Sequence, residues 1–479
     1  MEILLTTANA RYFHCAFGLR RLEASLRVAG YHPHVHEFTI QQSPFEIAEA
    51  LLVLQPQVIG FGVYIWNVEL LNHVAEILHA VSPGIVLIFG GPEMLGETEE
   101  SLYLNVVDYV IRGEGERALT ELIRQLDAGS KPKKGIIDAS PPDLEELPSP
   151  YDLYTDEDIR NRIVYVESSR GCPYRCTFCL SSRDERVRYF SLDSFLAAMR
   201  VLLDRGVRLF KFTDRTFNTD ERRVLEIMDF FLEQSSGDTQ LHFEIMPDRI
   251  SPAVLEKIAT FPCLALHLEL GVQSFSQEVQ RRIRRNQNIE RTMETIDFLR
   301  NNTGAALHAD LIVGLPGEDT TSVAIGFDAL VNSGVQEIQV GLLKRLKGTP
   351  LADESDAGSA FDATPPYEVL QTQHLSFSDI QGMKRFARYF DLYYNHGNFS
   401  KSLELLWQTN PSPFHAFEEF ASYIWQKEKR THGLPLAQLA KLLFSFLHYK
   451  GLNRELAAHT IEMEFRRLPG RKDVLDLLQ

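Results

Sequence analysis

Only five of the 479 residues are cysteine, which excludes a disulfide framework. Three of the five fall within Gly171–Cys179, leaving Cys15 and Cys263 elsewhere. No fourth Cys or His follows that trio at metal-ligand spacing, so nothing closes a tetrahedral zinc site. No apolar run reaches membrane-spanning length, and Met1-Glu2-Ile3-Leu4-Leu5 lacks a basic n-region. Neither a transmembrane helix nor a signal peptide is expected, though peripheral attachment stays open. Positive charge is also scarce: 49 Lys and Arg stand against 65 Asp and Glu, for a net charge of −16. That is a poor footprint for gripping a phosphate backbone, so a nucleic-acid partner is disfavoured.

What is present is the run Gly171-Cys172-Pro173-Tyr174-Arg175-Cys176-Thr177-Phe178-Cys179, directly after the strand-like Ile163-Val164-Tyr165-Val166. The thiols thus sit on a loop leaving a strand end, where α/β folds bind ligands. Three thiolates can hold a cubane [4Fe-4S] cluster with one iron lacking a protein ligand, open to an amino acid group of a small molecule. Three buried apolar cysteines are the alternative. The segment resembles the CxxxCxxC signature of the radical S-adenosylmethionine (SAM) superfamily, including the aromatic Phe178 before the last Cys. The resemblance implies that Cys172, Cys176 and Cys179 ligate the cluster and that SAM binds the open iron. It also implies that one electron cleaves SAM to a 5′-deoxyadenosyl radical. Such a cluster needs a reducing, oxygen-poor interior, so a cytoplasmic, anaerobic setting is expected, with an electron donor such as flavodoxin or ferredoxin.

The length predicts roughly two to four domains. Residues 1–130 alternate strand and helix signals: strands at 2–7, 34–38, 58–63, 85–90 and 109–111, with helices at 18–28, 45–54, 68–81 and 116–126. This predicts a doubly wound parallel sheet. Its strand-end loops are glycine-rich at Gly60-Phe61-Gly62, Gly90-Gly91-Pro92 and Gly113-Glu114-Gly115-Glu116, which lets backbone approach a flat or phosphate-bearing ligand. None has dinucleotide-fingerprint spacing. Placed before a radical SAM core, the domain resembles the cobalamin-binding domain of the B12-dependent radical SAM family, including its anaerobic magnesium-protoporphyrin cyclase-like and methyltransferase groups. That resemblance implies Gly90, Gly91, Gly113, Glu114 and Gly115 around the cobalamin nucleotide tail, and Tyr64-Ile65-Trp66-Asn67 at the lower face of the corrin. The Asp-x-His-x-x-Gly motif that supplies a lower-face His elsewhere is missing. Trp66 either excludes water from cobalt or packs between sheet and helix. His14 could face the same cavity or be an ordinary loop or core residue.

Residues 131–160 turn to Pro, Asp, Glu and Ser and read as a linker. Residues 161–351 carry six strand signals ending at Val166, Asp214, Ile245, Gly271, Gly314 and Leu343, which predicts a partial (β/α)6 barrel. By resemblance, Asp214 lies beside the SAM methionyl group and Glu244 binds its ribose or amino group. Gln273 belongs to a Gly-Val-Gln-Ser motif of the coproporphyrinogen-oxidase-like branch. Arg285 holds the SAM carboxylate, a role suited to its guanidinium fork, and Gly314 opens an adenine-contacting loop. Glu318 is expected to cap the next helix.

Residues 352–479 read as an acidic loop and then helices, the first starting at Pro366-Tyr367. The tail has no cysteine, hence no auxiliary cluster, and its aromatic density reads as core. The fold class expected is α/β: an N-terminal doubly wound parallel sheet of cobalamin-binding type, a partial (β/α)6 radical SAM barrel and a C-terminal helical domain. The function implied is methylation of an unactivated carbon of an unknown organic substrate through methylcobalamin. The alternatives are a radical cyclase or oxidoreductase with the same cofactors, and a non-catalytic cobalamin or redox sensor. Methylthiotransferases use additional N-terminal cysteines, and only Cys15 is available here.

Overall fold

The computed structural model describes every residue except 131, 236, 355–357, 468–474, 476 and 479, and the backbone alone at residue 102. The chain divides into two compact units, Met1–Glu244 with Lys344–Ser355 and Asp362–Tyr367, and Ile245–Leu343 with Asp356–Phe361 and Glu368–Gln479.

The first unit opens with six strands, β1 (Ile3–Asn9), β2 (His34–Thr39), β3 (Val58–Gly62), β4 (Val86–Gly90), β5 (Tyr109–Arg112) and β6 (Gly135–Asp138). They form one sheet in the order β2-β1-β3-β4-β5-β6, every pair parallel. Successive side chains on a strand point to opposite faces, so Leu4, Ile59, Phe61, Leu87 and Phe89 enter one core and Ile3, Leu5, Val58, Ile88 and Ile111 the other. Helices Pro44–Val53 and Val68–Val81 cover the first face through Ile47, Leu51, Leu71, Val74 and Leu78; helices Phe17–Val28 and Gly115–Asp127 cover the second through Leu19, Leu26, Leu119 and Ile123. Each such aliphatic side chain contributes about 1.5–3 kcal/mol on full burial. Because β1 lies between β2 and β3, the winding reverses there and leaves a crevice at the carboxyl ends of the strands.

The expected linker at 131–160 contributes β6 to this sheet, a finding that moves the end of the sheet to Asp138. Its four residues are half-buried or exposed on an edge, too short a signal to separate from the prolines around it.

Further along, β7 (Val164–Val166) leads to β8 (Ser169–Arg170), which pairs antiparallel with β9 (Arg188–Tyr189). Strands β10 (Leu209–Phe212) and β11 (Gln240–Ile245) follow, in the parallel order β7-β10-β11. The second unit carries β12 (Leu266–Gln273), β13 (Ala306–Val313) and β14 (Glu337–Leu342), also parallel and in chain order. Together these are the six strands the sequence pattern predicts, alternating along the chain with helices as expected. Strand β12 starts two residues later than the sequence pattern suggests, because Leu264 has φ 62°, which no strand accommodates.

The second unit ends in helices Phe377–Phe390, Ser400–Trp407, Pro413–Glu428, Leu436–Tyr449 and Arg454–Arg467. Phe327, Phe386, Phe390, Phe414 and Phe417 interlock edge to face and stacked, and all five are buried, so the tail's aromatic density is core. Pro366-Tyr367 does not start a helix. Tyr367 takes φ 56° and aims its hydroxyl at Glu93, and the chain then pairs β15 (Ala360–Phe361) with β16 (Val369–Gln371).

Candidate functional site

The cysteine loop spans from β8 to β9, whose pairing closes its base. Gly171 has φ 92°, and a Cβ there would meet the Arg186 carbonyl oxygen at 2.5 Å, so glycine is required one residue before the first thiol. Cys172 donates its backbone N–H to Asp184 at 2.9 Å, and its Sγ lies 3.5 Å from Thr216 Oγ1. Cys172 and Cys176 are buried; Cys179 and Phe178 are half-buried. Among the described residues, the trio of His, Cys or acid ligand atoms gathered within 4.8 Å of one another is His267, His308 and Glu337. Three thiols on one loop, with no fourth Cys or His following at zinc-ligand spacing, suit a group held by three sulfurs.

Asp214 is 1% exposed. Its carboxylate accepts from Ser168 N at 2.9 Å, Ser168 Oγ at 2.7 Å and Ser169 Oγ at 2.6 Å. Expected beside the cofactor, it spends both oxygens on the two residues that lead into the loop. Glu244 is half-buried on β11, 3.8 Å from the Arg215 guanidinium.

A cavity of about 250 Å³ opens at the carboxyl ends of β3, β4 and β5. Its walls include Phe17, Leu22, Ile88 and Ile111, and backbone from each of the three glycine loops. Gly91 (φ 111°) passes 2.5 Å, measured from a would-be Cβ, from the Val63 carbonyl oxygen. Tyr64, Gly90, Gly91, Gly113, Glu114 and Gly115 all line the cavity; Trp66 and Asn67 do not. An apolar slot floored by glycine backbone fits a flat base and its sugar-phosphate.

One wall is ionic and went unread in the sequence. Arg170, next to Gly171, binds Glu114 at 2.5 Å, Glu116 at 2.6 Å and Glu167 at 2.9 Å. Glu114 also pairs with Arg188, and Glu167 with Arg21 at 3.0 Å. Burial would raise the Glu116 carboxyl, but the Arg170 guanidinium outweighs it and holds the group below its usual range. Glu114, expected at the cofactor, is thus committed to two arginines. Replacing Arg170 by Met leaves the buried Glu116 without its guanidinium and takes one of two arginines from Glu114 and from Glu167, and a loss of about 3–5 kcal/mol is expected at neutral pH. Denaturant titrations should show part of it recovered in mild acid, where Glu116, raised by burial once Arg170 is gone, takes up a proton.

Asn67 is 1% exposed, donates its side-chain amide to Thr7 Oγ1 and the Ala8 carbonyl, and accepts from Tyr64 N. Expected at the corrin, it instead shapes the loop from within. Trp66 is 46% exposed, stacked on Tyr64 at 4.5 Å, with Nε1 donating to the Ala8 carbonyl. It does not pack between sheet and helix. His14 Nδ1 lies 2.7 Å from the Tyr165 hydroxyl, and burial, followed by Lys211, Arg11 and Arg162, lowers its pKa.

In the second unit, Gln273 closes β12 with φ 71°, at a register shift that starts at Gly271. Arg285 is buried, with Nη2 2.5 Å from the Gly271 carbonyl and Nε 3.2 Å from Gln287. Gly314 has φ 91° after β13. Glu318 does not cap the following helix: Asp319 does, with Ser322 completing a capping box. Glu318 is buried and accepts from Ser274 Oγ at 2.8 Å. Burial pushes its carboxyl from 4.5 up to about 8, the Ser274 hydrogen bond only partly offsetting it. Across that window the native chain keeps a proton that the unfolded chain has released. Stability therefore falls as pH rises through it, at ~1.4 kcal/mol per unit. Glu318→Gln keeps an acceptor for Ser274 and is expected to abolish the slope. Denaturant midpoints should coincide with wild type near the lower end of the window and exceed it above the upper end.

The profile of the B12 binding domain matches residues 3–123, that of the radical SAM superfamily 166–324, and that of "Protein of unknown function (DUF4080)" 356–478. An uncharacterised methyltransferase of Pyrococcus horikoshii is 25% identical over 303 residues, covering 58% of this chain and 64% of the relative. The anaerobic magnesium-protoporphyrin IX monomethyl ester cyclase of Rubrivivax gelatinosus is 22% identical over 338 residues, covering 62% and 58%. A tRNA-2-methylthio-N(6)-dimethylallyladenosine synthase of Pseudomonas fluorescens is 25% identical over 290 residues, covering 58% and 64%. The chain thus spans about three fifths of the length of these relatives. Among solved structures, the cobalamin-dependent SAM radical enzyme OxsB superposes with a TM-score of 0.64 at 15% identity, covering 97% of this chain and 83% of OxsB. The radical SAM methyltransferase TsrM of Kitasatospora setae superposes at 0.61 and 15%, covering 76% and 79%. Among the described residues no helix is long and apolar enough to cross a membrane. The chain thus carries a B12-binding domain ahead of a radical SAM domain, the domain pair of the cobalamin-dependent radical SAM enzymes it resembles.

Proposed function

We propose that this chain methylates an unactivated carbon of an organic substrate, using a [4Fe-4S] cluster, SAM and cobalamin. The observation that carries the reading is Arg170, which joins the glycine-floored cavity wall, through Glu114 and Glu116, to the residue preceding the three-thiol loop. When bound, the cluster supplies an electron for SAM cleavage and the corrin serves as methyl carrier. Cys172, Cys176 and Cys179 hold the cluster. Phe178 and Glu244 in the first unit contact SAM. Asp214 orients the loop through Ser168 and Ser169. Gly90, Gly91, Gly113 and Gly115 let backbone line the corrin's nucleotide tail, and the Tyr64–Trp66 stack covers its lower face and excludes water. Residues 1–138, 161–351 and 352–479 form the three functional segments. A small electron-transfer protein such as flavodoxin or ferredoxin supplies the electron in a reducing cytoplasm.

The similarity to the magnesium-protoporphyrin cyclase favours a second reading, a cyclase or oxidoreductase that transfers no methyl group. Anaerobically reconstituted full-length protein, given SAM and a strong reductant, separates the two. Methylation requires S-adenosylhomocysteine in addition to 5′-deoxyadenosine; 5′-deoxyadenosine alone under turnover supports the cyclase reading. Release of neither product overturns both and leaves a cofactor sensor.

A further inference from the structure

Strands β12, β13 and β14 each present one polar residue near their amino-terminal ends on a shared half-buried face: His267, His308 and Glu337. The parallel register sets His308 directly opposite Glu337, and the imidazole of His267 lies 6.0 Å, centroid to centroid, from that of His308. One ligand atom from each of the three falls within 4.8 Å of the other two. His308 Nδ1 is 3.1 Å from Glu337 Oε2, and its Nε2 is 3.2 Å from Asp310 Oδ1, two residues along the same face. Neither that Nε2 nor that Oδ1 has a hydrogen-bond partner among the described residues, so the approach is close without hydrogen-bond alignment. Two imidazoles with one or two carboxylates form a donor set for a borderline divalent ion, at the short mutual spacing that a coordination sphere imposes.

We propose that His267, His308 and Glu337, with Asp310 available as a fourth donor, form a binding site for a divalent transition metal of the zinc type. Of these residues Asp310 comes nearest the proposed cofactor machinery, since its register partner Gly271 takes the Arg285 guanidinium on its carbonyl; the other three lie further back toward the amino-terminal ends of their strands. Gln273 ends β12 six residues beyond His267, about 20 Å at the rise of an extended strand. The site's donors are nitrogen and oxygen only, whereas the loop Gly171–Cys179 offers sulfur. An ion there ties three adjacent strands together at the ends opposite those from which Gln273 and Gly314 depart. Although burial opposes it, the two carboxylates favour a proton on His308 in the metal-free chain, so ion and proton compete for the ring.

The test counts zinc separately from cluster iron in anaerobically reconstituted full-length protein after equilibration with zinc and dialysis. About one tightly held zinc per chain is expected, with an X-ray absorption first shell of nitrogen and oxygen and no sulfur. His267→Gln and Glu337→Gln should each lose that zinc while keeping cluster iron and the thermal midpoint of metal-free wild type. Zinc at background in wild type, a first shell containing sulfur, or zinc retained in both variants overturns the proposal. The wild-type absorption spectrum decides the matter should a variant fail to fold.

Discussion

Replacing any one of Cys172, Cys176 or Cys179 by alanine is expected to drop cluster iron and abolish reductive release of 5′-deoxyadenosine, while Cys15→Ala and Cys263→Ala retain both. Cys15 is buried beside Asp158, and burial pushes its thiol up to about 12; Cys263 is exposed. Neither stands on the loop pinned by Gly171, Asp184 and Thr216. Asp214→Asn tests the loop's support without touching a thiol. Its carboxylate takes three donors from Ser168 and Ser169, and removing the charge weakens all three. A loss of about 10–100-fold in cluster affinity or turnover is expected, the scale typical of groups that orient metal ligands. Iron content and product release, measured anaerobically on the same samples, check both statements. A Cys172→Ala or Cys176→Ala chain that still cleaves SAM would sink the three-thiol assignment.

Filling the cavity from its glycine floor is expected to remove cobalamin binding without unfolding the chain. A Cβ on Gly90 would find its nearest neighbours at 3.8 and 3.9 Å, and one on Gly115 at 3.4 and 3.8 Å, so both positions accept a side chain sterically. Gly90→Leu and Gly115→Leu then occupy space that a ligand would use. Overpacking of about 1–3 kcal/mol corresponds to about 10–100-fold weaker binding. Gly90→Ala should bind nearly as wild type. Gly91→Ala is different in kind, because its φ of 111° and the Val63 carbonyl at 2.5 Å penalise any side chain. Backbone strain of about 1–3 kcal/mol should appear there as a stability loss with or without cobalamin. Spectroscopic cobalamin titration alongside denaturant melts distinguishes the two classes.

Much of the site was legible because its signals are local. The spacing from Cys172 to Cys179, the apolar strand before it and the glycine loops at strand ends are all carried by short stretches of chain. Alternation of strand and helix patterns likewise located five of the six strands in the first sheet. Strand β6 escaped because four residues on an edge bury little apolar surface. Tyr367 escaped because proline near a first turn favours a helix locally, whereas the Glu93 carboxylate, 274 residues away in sequence, captures its hydroxyl instead.

The roles of individual polar groups were the least legible. Asp214, Asn67 and Glu114 each stood in a motif that pointed at a cofactor, and each spends its hydrogen-bonding capacity inside the protein. Glu318 stood where a helix cap was expected, and its neighbour Asp319 took that place. A buried carboxylate must be paired or neutralised, and the residues available for pairing are set by packing.

Local chain chemistry was enough to point to the two domains, the cofactors they imply and the spacing of the three thiols, since residue spacing and hydrophobic period operate within a few turns of chain. Folding had to settle which carboxylate binds which guanidinium, which glycine floors the cavity, and where His267, His308, Asp310 and Glu337 converge. Those partners are brought together by strand register and burial, whose free energy depends on neighbours that are distant along the chain.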